Sequence, residues 1–281
     1  MDFKITSENI EHPLLKPVLE ELIPVFQQRG ITFYIIGAVA RDIILDINNG
    51  KSNRVTMDLD IAIAVDHWED FENLSEDIIA LPNFTKDAQQ QQRFLYKEKF
   101  QVDIVPYGGI KDQNDKIYWP PDKSFAMSVI GFEEAEQNLL TINLDEELTF
   151  DIVSLEGVFL LKLFAWKDRA DKYSKDAEDI GFLLNNYFNI NRDLSFEEPF
   201  NKVYDDDYFT ELKAGATILG MRLNEMLNAG SGVKSKVKAL LEEEIQKEEE
   251  SQLFNQIIQT NRNLNFDDVA KAIALLNNEI K

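Results

Sequence analysis

Residues 35–63 read IIGAVARDIILDINNGKSNRVTMDLDIAI, and the fold turns on how this stretch divides. An apolar strand ends at Gly37, a helix starts over Ala38 to Asp42, and a second apolar strand carries Asp58 and Asp60 on either side of Leu59. Alternate residues of a strand project to one face, so Asp58 and Asp60 lie side by side with Leu59 turned to the core. Within the apolar run MDLDIAIAV two like charges have no structural use and require a cation. Carboxylate oxygens favour a hard ion. Mg2+, which takes one or two carboxylates together with substrate phosphates, is the expected one.

A third carboxylate belongs with this pair. The segment FQVDIVP, Phe100 to Pro106, reads as a short strand with Asp103 between Val102 and Ile104, and a neighbouring position in the sheet brings Asp103 against Asp58 and Asp60. Three carboxylates can hold two Mg2+ ions about 3.5–4 Å apart, one at the attacking oxygen and one at a triphosphate. The plainer alternative makes Asp58 a strand cap and Asp60 and Asp103 edge charges, which leaves their apolar setting unexplained. At the Gly37-Ala38 turn the backbone can approach a phosphate closely, and the first free N–H groups of the following helix point at it.

With these residues in place, Gly37, Asp58, Asp60 and Asp103 resemble the signature of the DNA polymerase beta-type nucleotidyltransferase superfamily. GAVARD, Gly37 to Asp42, is similar to the Gly-Gly-x-x-Arg-Asp motif of its CCA-adding and poly(A) polymerase branch, with Ala38 where that branch has a second Gly and many relatives have Ser. Residues 154–184, SLEGVFLLKLFAWKDRADKYSKDAEDIGFLL, resemble the C-terminal motifs of AbiEii-type toxin nucleotidyltransferases. The matching positions are Lys162, Arg169, Lys175, Asp176 and Asp179. The resemblance implies catalytic and metal-binding roles for Asp58, Asp60 and Asp103, and nucleotide binding by Gly37, Ala38, Arg41, Lys162 and Lys175. Asp42, Arg169, Asp176 and Asp179 are supporting candidates. It also implies an NTP substrate, two Mg2+ ions with Mn2+ as the alternative, and an acceptor RNA end such as tRNA in a toxin–antitoxin or phage-defence setting, with an antitoxin protein as partner.

The second block has its own physical reading. Lys162, Trp166 and Arg169 fall on one helical face while Leu155, Val158, Phe159 and Leu163 face elsewhere. Lys162 either reaches a phosphate or covers core with its stem. Asp176 and Asp179 share a face of the next helix, where one can pair with Lys162 or Arg169. Plain charge at a helix start is the alternative.

Composition bounds the rest. The 281 residues, 44% hydrophobic and without cysteine, allow a full core and exclude disulfides and thiolate metal sites. The start, MDFKITSENIEHPLL, lacks an apolar signal core, and no membrane span is expected, so the reading is a cytoplasmic protein. His12 and His67 read as surface or capping residues. A formal net charge of −22 from 29 Lys+Arg against 51 Asp+Glu opposes long-range attraction to nucleic acid. Locally, Lys162, Lys167, Arg169, Lys172 and Lys175 outnumber Asp168 and Asp171.

The order of elements gives an α/β (α+β) fold, a small mixed-sheet nucleotidyltransferase core with a mostly helical C-terminal domain. Helices are expected over 13–28, 68–80, 209–227, 233–250, 253–260 and 266–280, and strands over 31–37, 93–97, 100–106, 128–131 and 139–153. The domain reading is a core over 1–125, a segment completing the site over 126–190, and a helical domain over 191–281. EEEIQKEEE, 242–250, reads as a solvated helix face, and Asp205 to Asp207 as a loop or cap. The function expected is metal-dependent transfer of NMP from an NTP. Two alternatives stand beside the RNA acceptor: a small-molecule, antibiotic-type acceptor, which an acidic surface suits if it is cationic, and an inactive nucleotide-sensing or partner-binding module.

Overall fold

A computed structural model of the chain describes all residues except 1, 11, 49, 51–57, 124, 206–208, 230 and 231. Most of the polar stretch NNGKSNR, 48–54, the acidic residues Asp206 and Asp207, and residues 230 and 231 between the helices expected over 209–227 and 233–250 lie outside the described residues. The chain divides into two compact units, Met1–Ser154 and Leu155–Lys281.

The first unit runs β1 (Asp2–Ile5), α1 (Leu15–Arg29), β2 (Phe33–Ile36), α2 (Gly37–Ile47), β3 (Asp58–Val65), α3 (Trp68–Ala80), β4 (Phe84–Lys86), β5 (Arg93–Tyr96), β6 (Phe100–Gly108), β7 (Lys116–Tyr118), β8 (Ala126–Ser128), α4 (Phe132–Glu136), β9 (Leu139–Leu144) and β10 (Leu148–Val153). Eight strands form one mixed sheet in the order β1-β9-β10-β2-β3-β6-β5-β4, and β7 pairs with β8 apart from it. The central pair, β3 and β6, is parallel, while β2 and β5 flank it antiparallel.

The apolar pattern explains the layering. In α1, Leu15, Val18, Leu19, Leu22 and Phe26 recur at helical spacing and are almost fully buried. Gly30 ends the helix in the left-handed conformation (φ 64°), its N–H returning to Gln27 and Phe26. On β3, Leu59, Ile61 and Ile63 are wholly buried, and so are Phe94, Val102 and Ile104 on the neighbouring strands. Both α1 and α3 contact this sheet and each other, which leaves the alternate residues, Asp58 and Asp60 among them, on the other face.

The sheet is wider than the sequence pattern indicates. Residues 2–5, to which the sequence pattern assigns no element, form β1, pairing parallel with β9, and Ser7 N–H and Lys16 Nζ both bond Asp145 at 2.8 Å in the β9–β10 turn. The strand expected at 128–131 is instead β8 followed by α4, entered through Gly131 at φ 89°. His12 is buried, its ring edge-on to Phe100 at 5.5 Å, and is not a surface residue. The His67 N–H donates to Asp70 at 3.0 Å at the start of α3, the capping position expected of it.

The second unit contains α5 (Leu155–Arg169), α6 (Lys175–Ile190), α7 (Glu211–Met226), α8 (Val233–Gln246), α9 (Gln252–Thr260) and α10 (Phe266–Glu279). Close packing of α7 depends on absent side chains: a Cβ at Gly220 would collide with the Leu276 carbonyl of α10. The acidic run 242–250 is not uniformly solvated. Glu244 is fully buried, accepting from Ser251 Oγ at 2.7 Å, from Leu253 N–H at 3.3 Å and from Lys247 at 2.6 Å. It thereby pins the start of α9, because a buried carboxylate is tolerated only with such partners. Among the described residues no helix is long and apolar enough to cross a membrane.

Candidate active site

The register of three strands assembles the candidate site. Asp60 on β3 is opposite Asp103 on β6, and Asp58 is opposite Gln101. In-register residues of parallel neighbours project to the same side, and the strands lie about 4.8 Å apart. Asp58, Asp60 and Asp103 therefore occupy one patch of one sheet face. Asp58 and Asp60 are half-buried and Asp103 is 9% exposed.

On the next strand, β5, Arg93 is opposite Asp103. Its Nε donates to Asp103 Oδ1 at 2.7 Å and its Nη2 to Oδ2 at 2.8 Å, a two-pronged pairing that engages both carboxylate oxygens. These bonds to Asp103 hold the guanidinium's pKa above its ordinary value, against the opposing pull of burial. Among the described residues no group of three or more His, Cys, Asp or Glu is arranged to hold a metal ion. The donor chemistry fits Mg2+, since Asp58, Asp60 and Asp103 offer hard oxygen ligands. Arg93 was not singled out by the sequence pattern. The signal lay in the β5–β6 hairpin: once Tyr96 pairs with Phe100, counting back places Arg93 on Asp103.

Gly37 brings the helix start to the same patch. It opens α2 at φ 72°, and a Cβ built on it would run into Asp60 Oδ2. The first backbone amides of α2 therefore begin beside an aspartate of the site, where a helix presents its positive end. Ala38 follows, half-buried. We expect Gly37→Ala to cost about 1–3 kcal/mol through the disfavoured backbone and the displaced Asp60, and to reduce turnover at least about tenfold. Urea unfolding and steady-state rates check this; a stability within about 0.5 kcal/mol of the parent would show that the turn relaxes freely.

Arg41 is 2% exposed and donates to Asp42 Oδ1 from Nε at 2.8 Å and from Nη2 at 2.7 Å. The motif pair is thus joined within α2. Lys86, on β4, is opposite Phe94 and so belongs to the helix-covered face. Its Nζ is buried without a hydrogen-bond partner, 3.8 Å from the Phe94 ring centre. Burial pushes its pKa down to about 8, against the attraction of Asp103 and Asp87. The folded protein thus binds a proton at Lys86 less readily than the unfolded chain, and the resulting penalty is relieved as pH rises from about 8 toward the ordinary lysine value. Lys86→Met should raise the melting temperature by about 2–4 °C at pH 7, and the gain should shrink above pH 8. Calorimetry at pH 7 and 10 checks both; a lowered midpoint at pH 7 would show that the ammonium is stabilising.

The second sequence block forms a charge cluster inside the second unit. Lys162 Nζ reaches Asp179 at 2.7 Å and Asp176 at 3.4 Å, and Arg169 grips Asp176 through Nε at 2.6 Å and Nη2 at 2.8 Å. Asp176 is fully buried and Asp179 4% exposed. The expected pairing of α6 aspartates with α5 cations is present for both. Trp166, placed on the Lys162 face, is 2% exposed and donates to Gln256 at 2.8 Å, so it belongs to the interior. Lys175 is exposed as the first residue of α6.

The model of the family described as nucleotidyl transferase AbiEii toxin, type IV TA system, matches residues 26–273. No curated protein matches the chain. Among solved structures, ANT(2")-Ia in complex with adenylyl-2"-tobramycin is similar over 63% of this chain and 88% of its own, at 11% identity and a TM-score of 0.34. The solution structure of ANT(2'')-Ia covers 63% and 83%, at 10% identity and a TM-score of 0.33. The Thermotoga maritima CCA-adding enzyme complexed with tRNA_CCA covers 96% and 81%, at 12% identity and a TM-score of 0.25.

Proposed function

The chain belongs to the AbiEii nucleotidyltransferase toxin family, and from that premise we propose that it transfers NMP from an NTP to an RNA end such as that of tRNA, with divalent metal at Asp58, Asp60 and Asp103. It is a nucleotidyltransferase; the metal, the acceptor and the residue roles are the proposal. The observation that carries it is the registration of Asp60 with Asp103, beside a helix start at Gly37 whose close approach leaves no room for a side chain.

The reaction joins an acceptor oxygen to the α-phosphorus and breaks that phosphorus's bond to the bridging oxygen, releasing pyrophosphate. Amides at Gly37 and Ala38 cradle the triphosphate, as free helix N-terminal N–H groups do for phosphate. Asp58 and Asp60 would hold the metal. Asp103 would hold it too and accept the proton of the acceptor hydroxyl, for which the carboxylate must leave Arg93. Mg2+, when bound, would supply Lewis-acid stabilisation of charge on the triphosphate. Arg41, Lys162 and Lys175 would add positive charge for nucleotide or RNA, with Asp42, Arg169, Asp176 and Asp179 orienting them. The family's toxin–antitoxin description supports an antitoxin protein as a partner.

One observation favours a second reading. The net charge of −22 repels a polyanion and suits a cationic small-molecule acceptor. The test is incubation with each α-labelled NTP, Mg2+ and total RNA, beside Asp58→Asn, resolving RNA, protein and small-molecule fractions. Label in RNA that is absent with the variant is the expected result. Label in none of the RNA, with turnover restored by a cationic aminoglycoside, would overturn the RNA acceptor in favour of the second reading.

A further inference from the structure

We propose that Arg93 is a positioning residue that changes partners during the reaction, clamping Asp103 in the resting protein and passing to the triphosphate when the nucleotide arrives. The inference rests on the proposed metal-dependent transfer and adds to it what controls the third carboxylate.

Geometry carries the argument. The clamp takes one lone pair of each Asp103 oxygen, at 2.7 and 2.8 Å, and sets a full positive charge against the carboxylate. Metal and guanidinium therefore compete for the negative charge of one carboxylate, because two cations held against it repel each other. The pair is fixed by strand register and is not a chance surface contact. It is also releasable: the Arg93 side chain retains 23% of its exposure and that of Asp103 12%, whereas a pair locked in the core would retain none. Arg93 shares the sheet face of Asp58 and Asp60, where the triphosphate would sit. A guanidinium fork fits phosphate oxygens as well as it fits a carboxylate. Lys86, whose charge also acts on Asp103, belongs to the opposite face. Arg93 is thus a cation on the site face, placed to leave the carboxylate for the nucleotide.

Competition and exchange give opposite signs in two measurements. Removing the guanidinium frees Asp103 and tightens metal binding to the nucleotide-free protein. The same change deprives the triphosphate of a donor and weakens NTP binding. A purely structural Arg93 would do neither: its loss would lower stability and leave metal binding unchanged or weaker.

The experiment measures Mn2+ binding to the nucleotide-free full chain by electron paramagnetic resonance, then KM and kcat for NTP, in the parent, Arg93→Gln, Arg93→Lys and Asp58→Asn. Circular dichroism confirms that each is folded. Arg93→Gln should bind Mn2+ about 5- to 20-fold more tightly and show a KM for NTP raised about tenfold or more. Arg93→Lys keeps charge but loses the fork, so it should raise KM while tightening Mn2+ less. Equal or weaker Mn2+ binding in Arg93→Gln overturns the competition, and an unchanged KM overturns the transfer to triphosphate. If the parent binds Mn2+ no better than Asp58→Asn, the metal reading itself fails, and this inference with it.

Discussion

Replacing Asp60 by Asn should lower nucleotidyl transfer by about a thousandfold or more, close to 4 kcal/mol of lost transition-state stabilisation, while leaving the first unit folded. The substitution keeps shape and removes a charge. Asp60 has Asp58 two residues away on its own strand face and Asp103 opposite on β6, and like charges so placed repel one another. Removing one of the three charges relieves that repulsion, and the isosteric amide keeps the packing, so the first unit should remain folded in the urea titration. On the proposed reading the reaction loses an anion at the point where α2 begins, since the Asp60 carboxylate is the group against which Gly37 is packed. This combination of a collapsed rate and an intact fold separates a chemical role from a packing role. A rate within tenfold of the parent, or a fall in rate matched by unfolding, would remove Asp60 from the proposed chemistry. Asp103→Asn is the informative contrast, because it also weakens the Arg93 pairing and should cost stability as well as rate.

What the sequence made legible was local. Two aspartates flanking Leu59 in an apolar run define a strand face without any knowledge of the sheet, and helical spacing over 13–28 and 68–80 specifies α1 and α3 to within two residues. That Asp103 belongs with the Asp58 and Asp60 pair was also readable, since an aspartate between Val102 and Ile104 repeats the same pattern; its register with Asp60 was not. What stayed hidden depends on distant pairing. The three-residue β4 carries too little pattern to announce itself, and β1 exists because residues 2–5 meet Thr141 to Leu144. The Arg93 clamp needs the hairpin register, which is set at the Lys97 and Glu98 turn, both residues at positive φ. Neither is the glycine or asparagine that marks such turns. Glu244 shows the same limit in the helical unit: within an acidic run nothing local separates the one carboxylate that folds inward from its solvated neighbours.

Asp176→Ala should destabilise the second unit by about 3–5 kcal/mol, the cost of breaking a buried ion cluster by deleting one partner. Asp176 is completely buried. Burial by itself pulls its pKa up, but the Arg169 hydrogen bonds and the Lys162 charge outweigh that and hold it below the ordinary value of 3.8. Its removal breaks the Arg169 pairing and the longer Lys162 contact, while the 2.7 Å Lys162–Asp179 pair remains. Because the folded carboxylate is the stronger acid, its contribution is complete above the ordinary aspartate range and disappears as pH falls through its lowered value. The gap between parent and variant should therefore be full at pH 7 and close below about pH 4. Trp166 is the tryptophan of this unit, buried and bonded to Gln256. A background with Trp68→Phe and Trp119→Phe makes its fluorescence a reporter for α5 alone. A pH-dependent loss seen by that reporter, with the rate per folded molecule preserved, would assign Asp176 to holding α5 against α6; a loss below about 1 kcal/mol would mean that Lys162 and Asp179 hold the two helices together without it, and would free Asp176 for a role toward substrate.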